Sequence, residues 1–246
     1  MAPPLSWTVD TREACVIVAV RGELDLTGAV PLRTALLKCL AEQPDVLLVD
    51  LAEMTVRQDA PVAIFTAVVR QAATWPGTPV LLCAPTTRTA AMLAHGRIGW
   101  PTVHDSVAAA LRGVDHGQAA APSMADQLLP IVGAPRHARD IVTEACYRWD
   151  LPHLIGPASL VASELVTNAM VHAGTMMTFR ITRRQQYVNI AVHDGSPEVP
   201  RLMPLVDPRA PSGRGLLLVA SSAVSWGSLP SRAGKVVWAV LAARQA

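Results

Sequence analysis

Aromatic side chains are scarce in this chain: they make up 4% of its 246 residues, with two Phe and two Tyr. No Lys/Arg stripe carries aromatics between its members, and the formal charge is only +2, so neither phosphate gripping nor base stacking is indicated. Cysteine is equally sparse. Cys15, Cys39, Cys83 and Cys146 lie far apart, with no CxxC and no neighbouring His, which excludes a zinc cluster or a disulfide framework and predicts buried, reduced thiols. Apolar runs long enough for a membrane are also missing, since Arg, Lys, Asp or Pro interrupts each before the roughly 18 residues needed. The start, MAPPLSWTVD, has no basic region leading into an apolar block, so no secretory signal is read. These absences predict a cytoplasmic protein without membrane or direct nucleic-acid contact. What is present is 51% hydrophobic residues against 16% charged, the composition of a globular protein, in a length that allows one or two domains.

In the first half, strand and helix alternate. CVIVAVR (15–21) is a β-branched run, and GELDLTGAVP leads from it into an amphipathic helix with Val30, Leu32, Leu36, Leu37 and Leu40 at helical spacing. VLLVDL (46–51) is apolar on both faces, as in a sheet interior. The loop AEMTVRQDA follows, then a helix from Pro61 to about Trp75, a strand over 80–84, and short helices near 88–94 and 105–111. This alternation predicts a sheet flanked by helices, an α/β architecture. GVDHGQAAAPSMAD is small and polar, and it sets a linker over 114–126 between domains at 1–113 and 127–246.

The second domain reads as a helix over 135–149, a helix over 156–173, strands at 176–183 and 187–194, a Pro-rich loop (198–212), and a closing hairpin of SWGSL and KVVWAVLAA. Pro157 and Gly174 bracket the second helix in the usual Pro-first, Gly-last sense. That helix is almost wholly apolar and should be buried. Glu164, Asn168 and His172 step along one side of it. Burying a carboxylate and an amide costs several kcal/mol unless each is partnered, so the stripe should meet a cavity, a metal, a ligand, or capping backbone. Downstream, Asp194-Gly195 ends a strand and Gly213-Arg214-Gly215 opens a helix. A loop as long as 198–212 is uncommon in a compact domain and suggests a lid or binding segment.

GELDL at 22–26 and VDLAEMTVRQDAPVA at 49–63 resemble the STAS domain of anti-sigma factor antagonists. Aligned on its Asp-Leu, that family's phosphate-accepting serine falls at Asp59 and leaves no hydroxyl there. Asp59 then either supplies permanent negative charge where a phosphate would sit or simply caps the helix beginning at Pro61. The resemblance spans about residues 7–113. ELVTNAMVHA (164–173), VHDGSP (192–197) and GRGLLLV (213–219), in that order, resemble the N-box and two glycine boxes of the GHKL ATP-binding domain shared by histidine kinases and gyrase B. HARDIV (137–142) points to the anti-sigma serine kinase branch, over about residues 127–244.

This resemblance implies an α+β two-layer sandwich with ATP and Mg2+ as cofactors. Glu164 would be catalytic, orienting or deprotonating an acceptor hydroxyl. Asn168 would offer its amide oxygen to Mg2+. Nucleotide would be lined by Asn168, His172, Asp194, Gly195, Gly213, Arg214, Gly215 and Leu216, with Asp194 receiving the adenine amino group and the glycines admitting phosphate to a helix N-terminus. His172 can equally be structural, and Arg214 can point outward. Ser196, Pro208 and Pro211 depart from the family pattern. The implied function is a bacterial partner-switching regulator, a protein serine kinase that phosphorylates a STAS antagonist and sequesters a sigma factor, with a homodimer allowed. The alternatives are a non-catalytic protein acting by partner exchange, and a histidine kinase fragment, which lacks its phospho-acceptor helix here.

Overall fold

The computed structural model describes residues 3–12, 15–94, 102–113, 121–200 and 214–244. The chain divides into two compact units, Met1–Ala120 and Ala121–Ala246.

The first unit carries a five-stranded sheet in sequence order: β1 (Ser6–Thr11), β2 (Cys15–Leu24), β3 (Val46–Val56), β4 (Val80–Cys83) and β5 (Thr102–His104). β1 runs antiparallel to β2, and the other pairs are parallel. Parallel strands need crossovers, and here they are α1 (Leu26–Ala41), α2 (Ala63–Thr74) and α3 (Thr87–Ala94), with α4 (Val107–Gly113) closing the unit. On one sheet face Cys15, Ile17, Val46, Leu48 and Cys83 pack with Ala110, Val107 and Leu111 of α4. The opposite-facing Val16, Val18, Leu47, Val49 and Leu82 are buried as well, which explains why these strands read as continuous apolar runs. Asp25 begins α1 by accepting the Gly28 N–H on its Oδ1 at 2.8 Å. That bond, seconded by the Thr27 hydroxyl, holds the Asp25 carboxyl below the usual carboxylate range.

β3 corrects the sequence reading, which ended the strand at Leu51. It continues to Val56 beside β2, because Met54 and Val56 are buried while Glu53 and Thr55 are exposed, a period-two pattern inside the supposed loop. The edge strands β1 and β5 escaped the sequence reading because few of their residues are buried.

The second unit is an antiparallel sheet in the order β6-β7-β8-β10-β9, with its helices gathered on one face. Its elements are β6 (Ser123–Leu128), α5 (Ala134–Arg148), α6 (Ile155–Asn168), β7 (Met177–Arg184), β8 (Tyr187–Asp194), α7 (Gly215–Ser222), β9 (Ser225–Pro230) and β10 (Lys235–Ala242). Phe179, Ile181, Ile190, Val192, Val237, Ala239 and Leu241 alternate inward against Val142, Cys146, Val161, Leu165, Val166 and Val219 of the helices. Fully burying each of the larger side chains is worth about 1.5–3 kcal/mol. This is a two-layer α+β arrangement.

β6 begins inside the segment read as a linker. Of its inward row, Met124, Asp126 and Leu128, the middle residue is an acid paired with His137 of α5 at 2.7 Å, so the strand's alternation is hidden. α6 also begins earlier than read, at Ile155. Together with its flanking turns it forms a 22-residue apolar stretch, Pro152–Ala173, which by length and composition alone could cross a membrane, contrary to the sequence reading. Here its apolar side belongs to the unit's core. All four cysteines are free and buried, and burial pushes the Cys83 thiol up to about 11.

Candidate functional site

α6 packs against α7, β8 and β10, and this contact positions the site. α-Helical geometry runs through Asn168 and then widens into a π turn over Ala169–Ala173, closed by the Gly174 N–H donating to the Ala169 carbonyl at 3.1 Å. Gly174 sits at φ 61°, the left-handed conformation that ends helices, as its sequence position predicts. Such wide turns are often found at functional sites.

Just beyond it, the Thr175 hydroxyl accepts the Gly195 N–H at 2.9 Å, which ties the end of this helix to the end of β8. Asp194 is that strand's last residue and is 4% exposed. Its Oδ1 accepts the Lys235 ammonium at 2.8 Å and the Ser196 N–H at 2.9 Å. Its Oδ2 is buried and has no hydrogen-bond partner among the described residues. A buried lone acceptor is costly, so a donor from a ligand fits there. An exocyclic amino group is one such donor, and the residues present fit the expected nucleobase.

Register explains the pair. Asp194 lies directly opposite Lys235 across β8 and β10, in the row that faces the helices. Lys235 is the residue the sequence reading missed. Its signal was available, because in KVVWAVLA a lysine shares the inward alternation of Val237, Ala239 and Leu241.

At the other end of the site, a Cβ added to Gly215 would stand 2.5 Å from Glu164 Oε2. The carboxylate of α6 therefore lies against the first residue of α7, where unpaired N–H groups and the helix dipole favour negative charge. Only a residue without a side chain admits this approach. Glu164 and Asn168 are both half-buried and one turn apart on α6. Among the described residues no group of three His, Cys, Asp or Glu side chains could cage a metal, so an Mg2+ here would need oxygens beyond Asn168.

The structure thus sets Glu164 against Gly215, with Asn168 one turn further along α6, and ties Asp194-Gly195 to the end of that helix through Thr175. His172 and Arg214 are exposed. Leu216 is 7% exposed with its side chain in the core, which leaves its backbone N–H, in the first turn of α7, for a ligand. Gly213, Pro208 and Pro211 lie outside the described residues, as does the expected lid, 198–212, from residue 201 onward. In the first unit Asp59 is exposed and makes no side-chain cap, its carbonyl instead accepting the Val62 N–H at 3.1 Å. Asp59 thus holds the N-cap position ahead of Pro61 without a side-chain cap bond.

No family model and no curated protein matches the chain. Solved structures are similar to its N-terminal part. An anti-sigma factor antagonist from Mycobacterium paratuberculosis is 23% identical, with 45% of this chain and 94% of that chain covered and a TM-score of 0.38. The anti-sigma factor antagonist SpoIIAA in its unphosphorylated form is 13% identical, with 45% and 100% covered and a TM-score of 0.38. The Bacillus cell fate determinant SpoIIAA in its phosphorylated form is 12% identical, with the same coverage and TM-score.

Proposed function

We propose that the chain is a cytoplasmic bacterial partner-switching regulator whose second unit binds ATP and phosphorylates a serine of a separate STAS-type antagonist, and which also holds a sigma factor. The observation that carries this reading is the unpartnered, buried Asp194 Oδ2 at a strand tip, beside the helix bearing Glu164 and Asn168. ATP supplies the transferable phosphoryl group. Asp194 would hold the base, and the first N–H groups of α7 would face phosphate oxygens. Asn168 would donate its amide oxygen to an Mg2+ carried largely by phosphates and water. Glu164 would take the proton of the acceptor hydroxyl as that oxygen bonds to the γ-phosphorus, the bond to the β-phosphate oxygen breaks and ADP departs. Asp59, an exposed carboxylate where the STAS acceptor would stand, leaves the first unit unphosphorylated as an internal partner mimic. Tethering gives it roughly millimolar effective concentration.

One observation favours the non-catalytic alternative. The chain's own groups already engage both acids, with Lys235 on Asp194 and Gly215 against Glu164. Incubation with labelled ATP and candidate STAS proteins separates the two readings. Transfer by the wild type that drops at least a hundredfold in Glu164→Ala supports the kinase, general-base catalysis being worth roughly 10²–10⁴. Transfer that persists undiminished removes Glu164 from the chemistry. ATP binding without any transfer supports partner exchange alone.

A further inference from the structure

The Lys235 ammonium carries three N–H donors. One goes to Asp194 Oδ1 at 2.8 Å and one to the Ser196 carbonyl at 3.3 Å. The third has no partner among the described residues, although the Lys235 side chain is only 9% exposed. Beside it lies the other unfilled group, Asp194 Oδ2. An open acceptor and an open donor therefore sit side by side at the meeting of β8 and β10. Neither is left over from a surface ion pair, because both side chains are buried.

We propose that Lys235 is a base-reading residue of the nucleotide site, donating to a ring acceptor while Asp194 Oδ2 accepts from the neighbouring amino group. This rests on the ATP-binding reading given above. Adenine presents such an edge, with its N6 amino group beside N1. Guanine can satisfy the same two groups through N1–H and O6, but it brings a 2-amino group that needs a second acceptor. Asp194 Oδ1 is already taken by the ammonium and by the Ser196 N–H. The guanine amino group would thus be buried without a partner, and a site built this way favours adenine. Lys235 would also hold Asp194 in one rotamer before any base arrives.

Calorimetric titration of the full chain with ATP, GTP and 1-deaza-ATP, which lacks the N1 acceptor, tests this. The expected result is that ATP binds roughly tenfold to a hundredfold more tightly than either analogue, one hydrogen bond to a charged group being lost or one amino group stranded. Lys235→Met should weaken ATP and bind ATP and 1-deaza-ATP alike. The wild-type comparison stands even if that variant fails to fold. Equal wild-type affinity for ATP and 1-deaza-ATP would overturn the role of Lys235 and leave ATP binding intact. Absence of binding by the wild type together with binding by Lys235→Met would make the lysine a plug of the site, which also overturns the proposal. Absence of binding by both would remove the nucleotide reading itself.

Discussion

Replacing Asp194 by Asn keeps the shape of the side chain and removes its charge, leaving the Lys235 ammonium buried with the Ser196 carbonyl and a neutral amide. The Asp194 and Lys235 side chains are 1% and 9% exposed, so solvent screens the pair little and the desolvated cation is left without its counter-charge. Losing one partner of a buried pair costs about 3–5 kcal/mol, and because Asn still offers an acceptor oxygen the lower end, about 3 kcal/mol, is expected. In a unit of this size that lowers Tm by on the order of 10 °C. Lys235→Met on top of Asp194→Asn removes the stranded charge and replaces it with an apolar chain in a row shared with Val237. The double variant should recover about 2 kcal/mol of the loss. The assay is scanning calorimetry of the full chain, with the four proteins of the cycle compared at neutral pH and low salt. A double variant whose loss equals the sum of the two single-variant losses would show that the two changes simply add, and the buried pair would be refuted.

Two other perturbations follow from the geometry. Gly215→Ala places a methyl on Glu164 Oε2 and must push that carboxylate aside, so phosphate transfer should fall at least tenfold while circular dichroism is unchanged; retained transfer would separate Glu164 from the chemistry. His193 is held down to about 4 by burial and, secondarily, by Arg180. The unfolded chain takes up that proton near 6.5 and the folded chain only near 4, so the stability His193 contributes is complete above pH 6.5 and is lost as pH falls from 6.5 to 4. The loss amounts to up to roughly 3 kcal/mol. Urea midpoints at pH 7.5 and 4.5 should therefore differ in the wild type and converge in a His193→Gln variant, and equal midpoints in the wild type would contradict the burial.

Much of this architecture could be read from the residues. The apolar runs at 15–21, 46–51 and 187–194, the helical spacing of Leu32, Leu36 and Leu40, and the Gly174 stop each state a local preference that the packed structure keeps. The sequence reading failed where the signal is divided between distant segments. β6 is a strand because β7 offers it backbone partners and α5 supplies His137 to its exposed Asp126, and neither fact is local to Ser123–Leu128. The site shows the same division. Glu164 and Asn168 stand out because they interrupt an apolar helix, and Asp194 because it ends a strand directly before Gly195. Lys235 was passed over because it begins a strand, where a charged residue is ordinarily a solvated end. Only the register of β10 against β8 turns it inward onto Asp194.

The concealed thiols of the two units have a practical consequence. Cys15, Cys39 and Cys83 sit in the first unit and Cys146 alone in the second, so none reacts with an alkylating reagent until its unit opens. Mass-resolved labelling under native conditions then becomes a pair of clocks in one molecule. The rate at Cys146 times the breathing of the second unit, the rates at the other three time the opening of the first, and the effect of any added partner or nucleotide can be assigned to one unit without an engineered probe.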